Sequence, residues 1–337
     1  MTTVSVIIPA RNAAPWISNA IRSVATQTLA VGEIMVIDNA STDDTCAVVR
    51  QLQPTIAGLT LISNQKDLGV GASRNIGIGR ATGDWIAFLD ADDWFAPTRL
   101  SRLIELAERT GAGIVADNQF FMLGPDGPPL RTLLVTHGGR LEMIDIESFL
   151  RRDRLIAIGN LGLLKPIFRR NFLQATGIRY DEDPSIRIGE DSLFYMSCLI
   201  TGERILLTDE ALYFYRRHPA SLTHVIATDS LRILIKKSRA LLAQLHAEAG
   251  SSLAEAIEQT LIDQDDIIAY FELVGLVRGR RWRAALLRLL VSRRRTFFLL
   301  RRTAQGLTGR ISELQLGHSI VNRIRGRRSR SAKRNGR

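Results

Sequence analysis

Cysteine is almost missing from this chain. Two residues in 337, Cys46 and Cys198, exclude a disulfide framework and show no metal-ligand spacing. Both read as small buried hydrophobes in a protein of a reducing compartment. Long apolar runs are missing too. Nowhere do about 18 apolar residues pass without a charge, the length a spanning helix needs. The first apolar run, Val4 to Ile8, is cut at once by Pro9 and Arg11. It reads as a strand and not as the apolar core of a secretion signal, so the chain is expected in the cytoplasm. Acids are nearly absent from the C-terminal end, where residues 278–337 hold 19 Lys and Arg against Glu313 alone. Residues 1–277 carry 26 bases and 33 acids, so the +11 of the whole chain belongs to its tail. With 45% hydrophobic and 23% charged residues, a disordered or collagen-like chain is excluded, and the length allows a large buried core.

What is present begins with an alternation of strand and helix patterns. Val4 to Ile8 is apolar throughout, as in a strand buried on both faces of a parallel sheet. A helix follows over 16–27, with Ile17, Ala20, Ile21 and Val24 at helical spacing. A second strand over 33–37 ends in Asp38-Asn39-Ala40-Ser41, and Ser41 or Thr42 is expected to cap a helix from 43 to 52. Strands are expected at 60–63, 85–89 and 112–116, with helices at 69–80 and 97–109. This order predicts an open, doubly wound α/β sheet. Gly124 to Pro129 reads as a hairpin or loop tip. Helical patterns return at 231–249, 253–277 and 281–302, and the Arg/Ser-rich 323–337 reads as disordered.

The chemistry concentrates at strand tips. The apolar run Trp85 to Leu89 stops in Asp90-Ala91-Asp92-Asp93. In open α/β sheets ligands bind beyond the C-terminal ends of the strands, so these acids are delivered to the crevice. Closely spaced carboxylates repel unless a cation neutralises them, and hard oxygen ligands of this kind suit Mg²⁺ or Mn²⁺ bridging to a phosphate. A solvated turn with an acidic cap for the next helix satisfies the same residues. Three further features favour a ligand: Pro9-Ala10-Arg11-Asn12 at the first tip, Asp38-Asn39 at the second, and Gly69 to Gly77 with Arg74. The glycines there would let backbone approach a ligand, and Arg74 would pair with a phosphate.

Taken together, Val4 to Asn12, Val36 to Asp43, Gly71 to Asn75 and Leu89 to Asp93 resemble a family-two glycosyltransferase of GT-A fold. The similarity weakens after Asp117 and returns at Gly189-Glu190-Asp191-Ser192-Leu193-Phe194 and at Tyr215 to Leu222. It spans about residues 3–225. The resemblance implies a mostly parallel GT-A sheet and a nucleotide-sugar donor. Pro9, Ala10, Asn12, Asp38, Asn39, Arg74 and Ala91 would then hold the base and ribose. Asp90 would bind the ribose or help the metal, and Asp92 would ligate the Mg²⁺ or Mn²⁺ that bridges the diphosphate. Arg216 and Arg217 would clamp the phosphates, and His218 would add a metal ligand. Asp191, in the Glu190-Asp191 pair, would be the general base that takes the acceptor's proton, giving inversion. The same pair serves equally as acids favoured by a helix N-terminus. Asn39 departs from the second Asp of many UDP-dependent members. Its amide both accepts and donates, so uracil, thymine and guanine all stay open, with a UDP-sugar first.

The implied organisation is a nucleotide-sugar half (1–117), an acceptor half (118–228), a basic helical region (229–322) and the tail (323–337). Trp282, Ala285, Leu286, Leu289 and Leu290 share one helical face with arginines outside it. Such a helix either packs on the main domain or lies in an anionic membrane interface. The second choice suits a lipid-linked glycan acceptor on the inner face of the cell membrane, in synthesis of a cell-surface polysaccharide. No helix-turn-helix, zinc-finger or RNA-binding signature accompanies the basic tail, so no specific nucleic acid is expected. Two other functions fit the sequence less well. A nucleotidyltransferase needs a Gly-rich basic loop after the first strand, and Ala10 to Pro15 contains no glycine. An inactive GT-A-like protein that binds membranes or polyanions has no use for the clustered acids Asp90, Asp92 and Asp191.

Overall fold

The computed structural model describes residues 2–123, 127–153, 160–186, 188–218 and 228–284. The chain divides into two compact units, Met1–Gln264 and Asp265–Arg337. In the first, β1 (Val4–Ala10), β2 (Glu33–Asp38), β3 (Leu59–Ser63) and β4 (Trp85–Phe88) run parallel in the order β3-β2-β1-β4. The apolar run of β1 has two faces to fill. Val4, Val6 and Ile8 pack with α1 (Ile17–Ala25), α2 (Thr45–Leu52) and α4 (Arg99–Thr110), while Ile7 packs beneath α3 (Val70–Arg80). Successive side chains on a strand point to opposite faces, so a sheet covered on both sides requires such a run.

Beyond β4 the sheet continues β9-β6-β10, with β6 (Ile114–Met122), β9 (Ile167–Arg169) and β10 (Ile205–Arg216). β9 is antiparallel to both β4 and β6, and β6 is parallel to β10. Thus β1, β2, β3, β4, β6 and β10 all end at one edge, whereas β9 begins there. Short strands complete the sheet: β5 (Trp94–Phe95) and β8 (Leu141–Ile144) pair with β10, and β7 (Arg131–Thr132) with β6. α5 (Ile146–Arg152), α6 (Arg170–Thr176), α7 (Glu190–Ile200) and α8 (Thr228–His246) follow in order. α9 (Ser251–Arg278) comes last.

Several boundaries differ from the pattern reading for local reasons. β6 runs past residue 116 through Asp117, Asn118 and Gln119, all fully buried. Asp117 pairs with Arg99 at 2.7 Å, Asn118 Oδ1 accepts the Leu134 N–H at 2.9 Å, and Gln119 Nε2 donates to the Leu163 carbonyl at 2.6 Å. Polar residues satisfied in this way fit a buried strand, but periodicity cannot see them. Ser41 and Thr42 do not cap α2. The Ser41 hydroxyl accepts the Asn12 N–H, and Asp43 accepts the Thr45 N–H at 3.0 Å, so α2 starts at Thr45. The turn cluster is a hairpin: Leu130 N–H donates to the Phe121 carbonyl at 2.8 Å and β7 returns along β6, with 124–126 outside the described residues. The expected helix 281–302 lies, apart from its first residues, outside the described residues, as does the Arg-rich tail.

The strand tips carry backbone strain. Asn12 has φ 49° and Ala40 φ 55°. Asn tolerates the left-handed region, but a Cβ on Ala40 costs about 1 kcal/mol there. Ala40→Gly is therefore expected to raise stability by about 0.5 kcal/mol or more, since relief of strain exceeds the added backbone freedom. A urea midpoint at or below that of the parent chain would contradict this.

Candidate active site

β4 delivers the acidic turn. Leu89 N–H donates to the Ile7 carbonyl at 3.0 Å, and Asp93 N–H closes the turn on the Asp90 carbonyl at 3.0 Å. The three carboxylates then take different environments. Asp93 is buried: Tyr213 O–H donates to its Oδ2 at 2.7 Å and the Arg216 N–H to its Oδ1 at 2.7 Å. It fastens β10 to the turn. Burial, then the charges of Asp92 and Asp90, pushes its carboxyl well above the ordinary range. Asp90 and Asp92 stay partly exposed.

Asp90 belongs to a buried charge cluster. Arg74, 1% exposed on α3, donates through Nη2 to Asp90 Oδ1 at 2.9 Å and through Nη1 to Glu190 Oε1 at 2.9 Å. The same Nη1 lies 3.0 Å from Asp191 Oδ1. Lys165 Nζ stands 2.6 Å from Asp191 Oδ2 and 2.9 Å from Asp90 Oδ2. Two cations therefore join three carboxylates that come from the β4 tip and the start of α7. Burial works against the Asp90 carboxylate, but Lys165 and Arg74 outweigh it and hold its pKa down at about 2. Glu190 goes the other way: burial, then the Asp191 charge, raises it.

Arg74, expected to meet a phosphate, directs both Nη groups at protein carboxylates. The glycines near it also differ from expectation. A Cβ on Gly71 would stand 2.2 Å from the Asp181 carbonyl oxygen, and one on Gly77 2.5 Å from the Ile7 side chain. These glycines admit close packing of α3 on the chain, not backbone approach to a ligand.

Asp92 Oδ2 lies 2.8 Å from His218 Nε2, and the imidazole stacks on Trp16 with ring centroids 4.1 Å apart. Burial, then the charge of Asp90, raises the Asp92 carboxyl, with His218 pulling it down. Among the described residues no group of three His, Cys, Asp or Glu side chains could hold a metal ion. The Asp92–His218 pair is what the protein offers. Arg216 Nε donates to the Asp92 carbonyl at 2.6 Å, its guanidinium 4.7 Å above the Trp94 ring. Arg217 is fixed through its backbone N–H on the Met122 carbonyl at 2.7 Å.

The first two tips are tied to each other. Asn39 N–H donates to the Ala10 carbonyl at 2.8 Å, and Asn12 Oδ1 accepts the Thr42 N–H at 2.8 Å. Asp38 is buried and accepts the Ser41 N–H at 3.3 Å. The Asn39 amide donates to Asp67 at 2.7 Å and accepts the Leu68 N–H at 2.8 Å, so both of its groups hold the loop before α3. Asp67 also pairs with Arg11. Pro9 and Ala91 are buried at the tips of β1 and β4.

Lys165 escaped the sequence reading. A signal existed, because it is a single charge inside the otherwise apolar stretch Leu161 to Phe168. It reaches the site because β9 runs against its neighbours, so its leading end meets the edge where β4 stops.

A parallel-sheet crevice with acids at the β4 tip and at a helix start is the layout of a GT-A glycosyltransferase. The sequence matches the family described as Glycosyl transferase family 2 over residues 5–157. It is 36% identical over 241 residues to the succinoglycan biosynthesis protein ExoO of Rhizobium meliloti, covering 71% of this chain and 68% of that one. It is 32% identical over 245 residues to ExoU of the same organism, covering 72% and 70%. The chain belongs to glycosyl transferase family 2 and is a transferase enzyme. Among solved structures, Staphylococcus aureus TarS 1–349 with UDP-GlcNAc aligns at a TM-score of 0.60 and 18% identity, covering 82% of this chain and 73% of that one. A mannosyltransferase of Pyrobaculum calidifontis with GDP-mannose and Mn²⁺ aligns at 0.51 and 17%, covering 88% and 83%. At that identity they establish the GT-A fold. No helix among the described residues is long and apolar enough to cross a membrane.

Proposed function

We propose that this enzyme moves one sugar from a nucleotide-diphosphate donor to a hydroxyl of a glycan acceptor in exopolysaccharide biosynthesis, with inversion and with a divalent metal. The observation that carries this reading is the meeting of the β4 acids with Asp191 at one sheet edge, joined through Asp90 and Lys165. The names of the Rhizobium relatives support the pathway class, and the ligands of the two solved neighbours support a sugar nucleotide. A UDP-sugar is the first expectation for the donor. A lipid-linked acceptor fits the basic C-terminal sequence, of which residues 285–337 lie outside the described ones.

The residues offer Mg²⁺ or Mn²⁺ two ligand groups. One carboxylate oxygen and one imidazole nitrogen, Asp92 and His218, stand 2.8 Å apart. They would hold the ion, and its chemistry when bound is to offset charge on the leaving diphosphate. Pro9, Ala10, Asn12, Asp38, Asn39 and Ala91 form the floor for base and ribose, and Arg216 and Arg217 flank the phosphates. Asp191 takes the proton of the acceptor hydroxyl as its oxygen bonds to the anomeric carbon. The bond from that carbon to the diphosphate breaks with its electron pair leaving on the phosphate oxygen. Attack from the face opposite the leaving group inverts the centre.

The test is a thermal-shift panel of UDP, TDP and GDP, each with and without Mn²⁺ or Mg²⁺. One nucleotide at about 100 times its Kd is expected to add about 2.7 kcal/mol to the native state, only with metal. Asp92→Asn is expected to abolish that shift. Stabilisation without metal, or an unchanged shift in Asp92→Asn, would remove the metal reading. No shift with any nucleotide would remove the donor reading.

A further inference from the structure

We propose that Lys165 is a positioning residue of the transfer step, whose ammonium group aims the Asp191 carboxylate at the acceptor hydroxyl. This rests on the reading of Asp191 as the base. The geometry separates what Lys165 does for its two partners. Asp90 keeps a second hydrogen bond, from Arg74 Nη2 at 2.9 Å. Asp191 shares its other cation: Arg74 Nη1 pairs with its Oδ1 at 3.0 Å but donates its hydrogen bond to Glu190, and Tyr180 bears on the same carboxylate. The Lys165 bond to Oδ2 at 2.6 Å is thus the hydrogen bond that fixes that oxygen of the Asp191 carboxylate. Without it Asp90 keeps its hydrogen bond from Arg74, and Asp191 loses the contact that aims Oδ2.

The backbone that carries Lys165 is itself held from two directions. The Lys165 carbonyl accepts Arg99 Nη2, and the preceding Leu164 carbonyl accepts Tyr195 O–H at 2.6 Å. Arg99 is fully buried, paired with Asp117 at 2.7 Å, its guanidinium 4.3 Å from the Phe95 ring centroid and 5.3 Å from that of Tyr213. Tyr213 in turn donates to Asp93 in the acidic turn. A buried ammonium costs several kcal/mol to desolvate, and apolar residues around it would pack without that cost. A lysine also has rotamer freedom to lose, and here the backbone is fixed at two carbonyls and the ammonium at Asp191 and Asp90, so little freedom is left at the moment of reaction. Arg74 alone already ties α3 to the β4 tip and to α7. The second cation adds orientation of one carboxylate, which a transferase base needs and a scaffold does not.

The experiment uses the full chain with UDP-glucose as donor and bacterial membrane lipids as acceptor, or the TDP or GDP counterpart if the nucleotide panel selects it. Lys165→Met is expected to lower kcat about 100-fold while the donor KM and the nucleotide–Mn²⁺ thermal shift stay within about threefold. Lys165→Arg is expected to recover most of that loss. The double variant Lys165→Met/Asp191→Asn is expected to be no slower than Asp191→Asn alone, because both changes disable one unit. Lys165→Gln, neutral and close in length, gives the same comparison if the Met variant does not fold. Wild-type kcat in the neutral variants, a loss confined to KM, or losses that multiply in the double variant would each overturn the proposal. Asp191→Asn separates the two levels of the argument. If it transfers at the wild-type rate, the base reading itself fails. If it is slow and Lys165→Met is not, only the positioning role fails.

Discussion

Replacing Asp191 by Asn is expected to lower kcat by about 10²- to 10⁴-fold, the usual contribution of a positioned general base, with metal-dependent nucleotide binding unchanged within about threefold. The sign follows from the site. An acceptor hydroxyl is a weak nucleophile, and its proton must leave as the new bond forms. Asn has the size of Asp and still accepts the Lys165 bond through its carbonyl oxygen, but it takes no proton. The variant should therefore keep the fold of α7 and lose chemistry alone. Single-turnover transfer, measured beside the nucleotide thermal shift, makes the distinction. Equal loss of both would return Glu190-Asp191 to a purely structural role at the N-terminus of α7.

Arg74→Leu is expected to lose about 3–5 kcal/mol of stability at neutral pH, the cost of removing one partner from a buried ionic cluster. Arg74 is 1% exposed and faces Asp90, Glu190 and Asp191 at 2.9, 2.9 and 3.0 Å. Leucine leaves those three carboxylates to Lys165 alone. The loss should depend on pH in a defined direction. Asp90 is held near 2, below the ordinary 3.8, by Lys165 and Arg74 against the opposing effect of burial. A depressed carboxyl contributes stability that is present above its unfolded pKa and disappears as pH falls through its folded one. The gap between wild type and Arg74→Leu should thus be widest near neutrality and narrow between about pH 4 and pH 2. Urea unfolding at a series of pH values reads it. A gap that is constant or widens in acid would show that Arg74 acts by packing, through its contact with the Tyr180 ring, and not by charge.

Much of this site was legible because it lies where periodicity is strongest. β1, β2 and β4 are apolar runs that end abruptly in polar residues, and a parallel sheet places all such ends at one edge. Asp38, Asp90 and Asp92 follow from that rule without any coordinates, whereas Glu190-Asp191 follow only from the family resemblance, in a stretch without regular periodicity. The partners did not follow. Asp93 looked like a third ligand of the acidic turn but accepts from Tyr213 and Arg216, residues far along the chain. Asn39, expected at the base, also holds the loop at Asp67 and Leu68. Arg74 looked like a phosphate clamp because an arginine near glycines at a helix start is usually solvent-facing, whereas α3 buries it against α7.

Sequence alone determined the parallel core, the strand tips where polar residues gather and the acids that β4 carries there. Each of these depends on local repeats of two or 3.6 residues and on the end of an apolar run. Tertiary structure alone decided which acid meets which cation. β9 enters the sheet against the direction of its neighbours, and that reversal carries the start of the strand, with Lys165, to the edge where the others finish. Strand direction is set by packing of the whole sheet and leaves no mark in the apolar pattern of three residues. For the same reason the Asp92–His218 pair, which joins the end of β4 to the end of β10, exists only once those strands share one sheet.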